Sequence, residues 1–210
     1  MSWKALDLSH IDKTKVYDPD VVDDSFLMGD TLINESGFLR NILKPTVCVE
    51  IGCGSGAVIT ILHEIMKGLG TDINLNALNC TKKTSSNTVE TIRTDLFSGI
   101  RTKPDVVVFN PPYVVTDNEE LKLKDPLVQA YAGGYKGRVV IDRFLSQLEN
   151  ILGPCSTLYL LLIQPNDVDE VRSILREKGI YSSIIAKRRS LIEQIFILKC
   201  SRNIQYVECC

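Results

Sequence analysis

The sequence predicts an α/β protein, a single domain built on a seven-stranded, mostly parallel sheet that ends in an antiparallel hairpin and carries helices on both faces. Three observations point there. Short Val-, Ile- and Leu-rich runs alternate with amphipathic stretches of helical period from Pro45 onward. Those runs are continuously apolar rather than alternating, as expected of strands covered on both sides. A glycine cluster at 52–56 follows the first of them and opens a helical stretch, which makes one strand–loop–helix unit.

In chain order, residues 1–15 interleave charged with apolar residues and read as a flexible tail. From Ser25, SFLMGDTLINESGFLRNILK spaces Phe26, Leu27, Leu32, Ile33, Phe38, Leu39, Ile42 and Leu43 mostly at helical period, so a helix or helix pair occupies the segment up to Lys44. After Pro45 come the strand TVCVEI, the glycine loop, the helix VITILHEIMK, a strand around GLGTDI and the helix LNALNCTKKTSSN. The strands VETIRTDLF and DVVVFN follow, and Pro111 and Pro112 stop the second. A helix from about Val139 to Ile151, the strand TLYLLLI, the helix DVDEVRSILREKG and the strands YSSIIAKR and QIFILKC complete the series. Only RRSLIE joins the last two strands. A parallel crossover needs about a dozen residues, so this pair is expected to be antiparallel.

Composition narrows the function classes. With 24 Lys plus Arg against 26 Asp plus Glu in 210 residues, the formal charge is -2. Gripping nucleic-acid phosphates needs a basic excess or a basic face, so direct nucleic-acid binding is disfavoured. A chain this long buries roughly 70% of its unfolded surface, enough for one core without staples. The seven cysteines, at 48, 53, 80, 155, 200, 209 and 210, show no C-x-x-C spacing and read as reduced thiols. The amino-terminal stretch has no apolar signal core, and the longest uncharged run, Asn150 to Asn166, contains Gly153, Pro154 and Pro165. A soluble cytoplasmic or nuclear protein is expected, with no membrane association.

Two segments carry chemistry. Gly52, Gly54 and Gly56 let the backbone turn sharply at a strand end and approach a ligand closely. By itself the loop is ambiguous. Gly52, Gly54 and Ala57 also satisfy the dinucleotide pattern, with Asp72 twenty residues past Gly52 placed to hold ribose hydroxyls. Glu50, just ahead of the glycines, shifts the balance: its charge repels a pyrophosphate and suits a cation such as the sulfonium of S-adenosylmethionine. The second segment is Asn110-Pro111-Pro112-Tyr113 at the end of DVVVF. Two prolines stiffen the backbone and remove two N–H donors, leaving carbonyls and the Asn amide in a rigid array that accepts both hydrogens of a planar NH2 group. Tyr113 can pack on the flat group that carries it.

VEIGCGSG, Asp72, Asp95-Leu96 and FNPPY in this order resemble the class I S-adenosylmethionine-dependent methyltransferases, of Rossmann-like fold, that modify NH2 nitrogens. Within them the chain is most similar to the HemK-like protein-glutamine methyltransferases of the eukaryotic and archaeal branch acting on the translation release factor. VYDPDVVDDSFLM and AYAGGYKGRVVIDRFL support the narrower match, although the spacing from Pro19 to Asp23-Asp24-Ser25 is longer than the family pattern. The resemblance runs from about Val16 to Lys199. It implies a cofactor-lid segment and helix at 16–44 and a catalytic core at 45–200. It also implies that Glu50, Gly52 and Gly54 border the methionine part of S-adenosyl-L-methionine, that Asp72 binds the ribose, and that Asp95 and Leu96 flank the adenine. Ser25 and Tyr17 would close the pocket, Asn110 would border both cofactor and target, and Asn110, Pro111, Pro112 and Tyr113 would hold the target amide, with Asn110, Pro111 and Tyr113 acting in catalysis. The implied reaction methylates the glutamine of a Gly-Gly-Gln tripeptide in the class 1 release factor and leaves S-adenosyl-L-homocysteine. The implied partner is a small zinc-binding activator that pairs along a sheet edge, for which VETIRTDLF is the candidate strand.

Two other functions fit parts of the pattern: a nucleic-acid amino methyltransferase, since adenine and guanine also present an NH2, and a non-catalytic cofactor-binding scaffold. No metal site is expected in this chain. His10 and His63 lack a partner at ligand spacing, and Asp18, Asp20, Asp23 and Asp24 lack the EF-hand pattern. Lys187-Arg188-Arg189 reads as a solvated strand edge.

Overall fold

The computed structural model describes residues 6–16, 23–189 and 193–208. Seven strands form one sheet in the order β3-β2-β1-β4-β7-β9-β8, numbered along the chain: β1 Cys48–Ile51, β2 Gly68–Asp72, β3 Glu90–Arg93, β4 Val106–Phe109, β7 Thr157–Ile163, β8 Tyr181–Arg189 and β9 Gln194–Ser201. The first five are parallel, and β9 runs antiparallel to both β7 and β8, so the closing hairpin inserts its second strand next to β7. The strands β1, β4 and β7 are buried along their whole length, which is why their sequences, Glu50 and Thr157 apart, are apolar.

Alternation within those buried strands supplies two cores. Val106, Val108, Tyr159 and Leu161 face one side, where Met28 and Leu32 of helix α1 (Asp23–Asn34) and Ile59 and Leu62 of α3 (Ala57–Ile65) meet them. Val107, Phe109, Leu158 and Leu160 face the other, against Ile141, Phe144 and Leu148 of α7 (Val139–Ile151) and Val171 and Leu175 of α8 (Val168–Glu177). The helical segment after α1 breaks into a turn, α2 (Ser36–Phe38), and a π-helical turn at Leu39–Leu43. It ends at Lys44, which takes a left-handed φ of 48° ahead of Pro45, a position from which α-helix is disfavoured. Lys199 of β9 is fully buried and pairs with Glu35 at 2.5 Å, with its ammonium 3.7 Å from the Phe38 ring centroid. The α1–α2 junction is thereby tied to the sheet.

Two features differ from the sequence expectation. The strand read across VETIRTDLF stops at Arg93, because β2, its neighbour in the sheet, ends at the paired residue Asp72. Beyond it the chain turns, with Thr94 N–H donating to the Asp72 carbonyl at 3.0 Å and Leu96 at φ 48°. Between β4 and α7, where the sequence shows no long periodic run, lie α5 (Asn118–Lys122), α6 (Pro126–Tyr131) and a two-stranded parallel ribbon of β5 (Val114–Val115) and β6 (Ala132–Gly134). Asp117 and Asp125 cap the two short helices through their side chains, and Pro126 opens the second. Helix α4 (Leu75–Thr84) packs on α3 and β2, and α9 (Gln205–Glu208) lies against β8 and β9. Among the described residues no helix is long and apolar enough to cross a membrane.

Candidate active site

After β1 the chain moves outward to β2 and β3, then returns to the other side of β1 with β4. Strand order reverses between β1 and β4, and loops leaving adjacent strands in opposite directions open a crevice at their carboxyl ends. Ile51 and Phe109 are register partners, so the glycine loop and the Asn110–Tyr113 loop start side by side. A cleft of about 540 Å³ lies there. Every candidate site residue read from the sequence lines it except Tyr17, which lies outside the described residues.

On the β1–β2 side, Gly52, Gly54 and Gly56 all have positive φ, at 67°, 51° and 83°. Gly56 has a second constraint, since a Cβ there would stand 2.6 Å from Thr81 Cα on α4. The Gly54 N–H donates to Asp72 Oδ2 at 3.0 Å, and the Asn74 N–H donates to Oδ1 at 2.8 Å, so the carboxylate is held by backbone from both sides. Asn74 in turn caps α4 and donates from its side chain to the Lys15 carbonyl. The segment before Tyr17 therefore touches the same corner: Val16 is buried and lines the cleft, and His10 Nε2 lies 3.1 Å from Thr84 Oγ1.

Glu50 is almost fully buried, and its Oε2 has no hydrogen-bond partner. Burial raises this carboxyl well above its usual range, the neighbouring Asp72 charge raises it further, and a backbone hydrogen bond from Ile59 only partly offsets them. Asp72 is also raised, by burial, against the lowering effect of its backbone donors Asn74, Gly54 and Ile73. Burial likewise pushes the Cys53 thiol up, which makes it a packing residue rather than a nucleophile. Asp95 and Leu96 form the far wall in the turn after β3, where Asp95 Oδ2 accepts from Arg143 Nη2 of α7 at 2.5 Å.

On the β4 side, Asn110 and Tyr113 converge on one carboxylate that the motif does not contain. Asp24 Oδ2 accepts from Asn110 Nδ2 at 3.2 Å and from the Tyr113 hydroxyl at 2.8 Å, while its Oδ1 accepts from the Ser25 N–H at 2.6 Å. Asn110 Oδ1 is buried without a partner. Only three buried side-chain polar atoms lack one among the described residues, and two of them, on Glu50 and Asn110, belong to cleft residues. Unsatisfied buried acceptors cost about 1–3 kcal/mol each, so their pairing in one cleft indicates a ligand with donors or positive charge.

The loop is held from behind. Asn166 is fully buried; its Nδ2 donates to the Tyr113 and Lys136 carbonyls at 2.9 Å each, and its Oδ1 accepts from the Ile163 N–H at 2.8 Å. The glycines of AYAGGYKG make this approach possible: a Cβ at Gly137 would stand 1.9 Å from the Tyr113 carbonyl oxygen. The sequence assigned no role in this site to Asp24, Arg143 or Asn166, nor to Glu193, a cleft-lining carboxyl raised by burial and by the Asp24 charge. Asp24 and Arg143 fall inside the segments VYDPDVVDDSFLM and AYAGGYKGRVVIDRFL, whereas Asn166 and Glu193 stand in no such pattern.

Comparison with known proteins places this geometry. The family model for the methyltransferase small domain matches residues 31–148. Human Methyltransferase HEMK2 is 33% identical over 199 residues, covering 90% of each chain. The eRF1 methyltransferase catalytic subunit mtq2 of Schizosaccharomyces pombe is 31% identical over 208 residues, covering 89% of each. Among solved structures, one chain of the E. cuniculi Mtq2–Trm112 complex, responsible for methylation of the eRF1 translation termination factor, aligns with TM-score 0.67 and 31% identity, covering 90% of this chain and 99% of that one.

Proposed function

We propose, because this chain belongs to the methyltransferase small domain family, that it methylates the side-chain amide nitrogen of the glutamine in the Gly-Gly-Gln tripeptide of the class 1 translation release factor, using S-adenosyl-L-methionine. The observation that carries the reading is the pairing of two unsatisfied acceptors, Glu50 Oε2 and Asn110 Oδ1, in one cleft: the first suits a cation, the second an NH2 group. The cofactor supplies a sulfonium-activated methyl group and leaves as S-adenosyl-L-homocysteine. Glu50, Gly52 and Gly54 would hold its methionine end, Asp72 its ribose hydroxyls and Asp95 with Leu96 its adenine, with Ser25 and Asn110 bordering it and Tyr17 assigned by resemblance.

An amide nitrogen is a poor nucleophile because its lone pair is delocalised into the carbonyl. Asn110 Oδ1 and the Pro111 carbonyl accept its two hydrogens, which favours localisation of that pair, and Pro112 keeps the loop rigid while Tyr113 packs on the amide face. As the methyl bonds to nitrogen and its bond to sulfur breaks, one of the two N–H protons is released to water, so alignment is the main demand on the protein. The test incubates the chain and its activator with labelled cofactor and either recombinant release factor or duplex DNA and tRNA. Label must enter the factor; label in nucleic acid alone would refute the proposal.

Ionisation makes a second, independent check. Glu50 and Asp72 both lie above their ordinary values of 4.5 and 3.8. A carboxyl raised on folding contributes stability that is complete below its unfolded value and is lost as pH rises through its folded one. A cationic ligand favours the ionised forms, so its binding releases protons and tightens over the same window. The melting-temperature gap between cofactor-loaded and ligand-free protein is therefore expected to widen as pH rises above about 5. A gap that is constant or narrows would contradict the assignment of these carboxylates to the cofactor.

The same reading includes a heterodimer with a small zinc-binding activator, as the solved Mtq2–Trm112 complex has a partner subunit. Among the described residues strand β3 pairs only with β2, so its outer edge offers backbone groups for an added strand. Ile92 on it, with Ile73 and Leu75 just past β2, is exposed (39%, 49% and 52%). Ile92→Asp is expected to lower activator affinity at least about 10-fold by burying a charge in the contact, read by calorimetry. Unchanged affinity would place the activator elsewhere.

A further inference from the structure

An Asn side chain presents an acceptor at one end of its amide and two donors at the other, and a half-turn exchanges them. At Asn110 the choice is not free. A carboxylate only accepts, so Asp24 Oδ2, 3.2 Å from the amide nitrogen, requires the NH2 end of Asn110 to face it. The flipped amide would set two acceptor oxygens against each other and turn its donors away from Asp24. Oδ1 is thereby left as a buried acceptor without a partner.

We infer that Asp24 is a positioning residue that sets the amide orientation of Asn110 and so makes the site select a hydrogen-bond donor, a carboxamide NH2, over an isosteric acceptor such as the carboxylate of glutamate. This rests on the proposed methyl transfer and adds to it the origin of its discrimination. The anchoring is shared. Tyr113 donates to the same Oδ2, so one oxygen ties the ring and the amide together, while the Ser25 N–H holds Oδ1 and restrains rotation of the carboxylate. Asp24 itself is buried at the start of α1, and Glu193, another carboxyl of the cleft, is raised by burial and by the Asp24 charge. Asparagine at position 24 would keep the shape and lose the selectivity, because its own amide can meet either end of Asn110.

The experiment compares the parent and Asp24→Asn chains, each complexed with the activator. Turnover of release factor by Asp24→Asn is expected to fall about 10- to 100-fold, the scale of a lost hydrogen bond to a charged group, with calorimetric cofactor affinity and melting temperature changed little. Tyr113→Phe, which removes the other donor to Oδ2, is expected to cost less in the Asp24→Asn background than alone, since both act through one carboxylate. An Asp24→Asn chain within twofold of parent turnover, or one whose loss is matched by lost cofactor binding, would overturn the inference. A second readout does not depend on the reaction: the Asn110 side-chain amide protons, observed by NMR, are expected to exchange slowly in the parent and rapidly in Asp24→Asn. Fast exchange in the parent would also overturn it, whereas a slow-exchanging but inactive parent would count against the proposed methyl transfer alone.

Discussion

Asn110→Ala is expected to reduce methylation of the release factor at least about 100-fold, the scale seen when one preorganised electrostatic contact to the reacting group is removed. The substitution takes away the acceptor on Oδ1 and, with it, the donor that faces Asp24. Cofactor affinity should change much less, because Glu50 and Asp72 lie on β1 and β2 and Asp72 is held by the Gly54 and Asn74 N–H groups rather than by Asn110. Single-turnover rates combined with calorimetry separate the two effects. Near-parent turnover would remove Asn110 from the reaction.

Gly137→Ala is expected to be the most damaging conservative change to the fold. Gly137 has φ 67°, and an added Cβ would stand 1.9 Å from the Tyr113 carbonyl oxygen and 2.5 Å from Asn166 Nδ2. Overpacking of about 1–3 kcal/mol adds to a left-handed penalty of about 1–2 kcal/mol, a total of about 2–5 kcal/mol. In a domain of this size that corresponds to a melting temperature lower by about 4–20 °C. Any relief requires moving the Tyr113 carbonyl off Asn166, so activity falls with stability. Gly37→Ala is the control: nothing lies within 4 Å of a Cβ there and no positive φ is involved, so it is expected to be neutral or slightly stabilising. Equal effects at the two positions would refute the packing argument.

Several elements were legible because their signals are local. CVEI, VVVF and TLYLLLI are short, mainly apolar runs bounded by turn residues, the composition expected of strands buried on both faces. The glycine loop was legible for a conformational reason, with Gly52, Gly54 and Gly56 all at positive φ, and the stop after β4 because two prolines cannot continue a strand. The extent of β3 was misread. Thr94–Phe97 have strand-like residues, but a strand lasts only as long as its neighbour, and β2 ends at Asp72.

Local chemistry, then, was sufficient for the sheet-and-helix plan and for the two loops that open on the cleft, since each is written in residues a few positions apart. What only the tertiary structure decided is how those loops are held. Asp24 is 86 residues from Asn110, Asn166 is 53 from Tyr113 and Arg143 is 48 from Asp95. No periodicity or spacing connects such pairs, because a hydrogen bond depends on distance in space. The reversal of strand order between β1 and β4 creates that proximity, and α1 folding back over the sheet delivers the carboxylate that orients the amide.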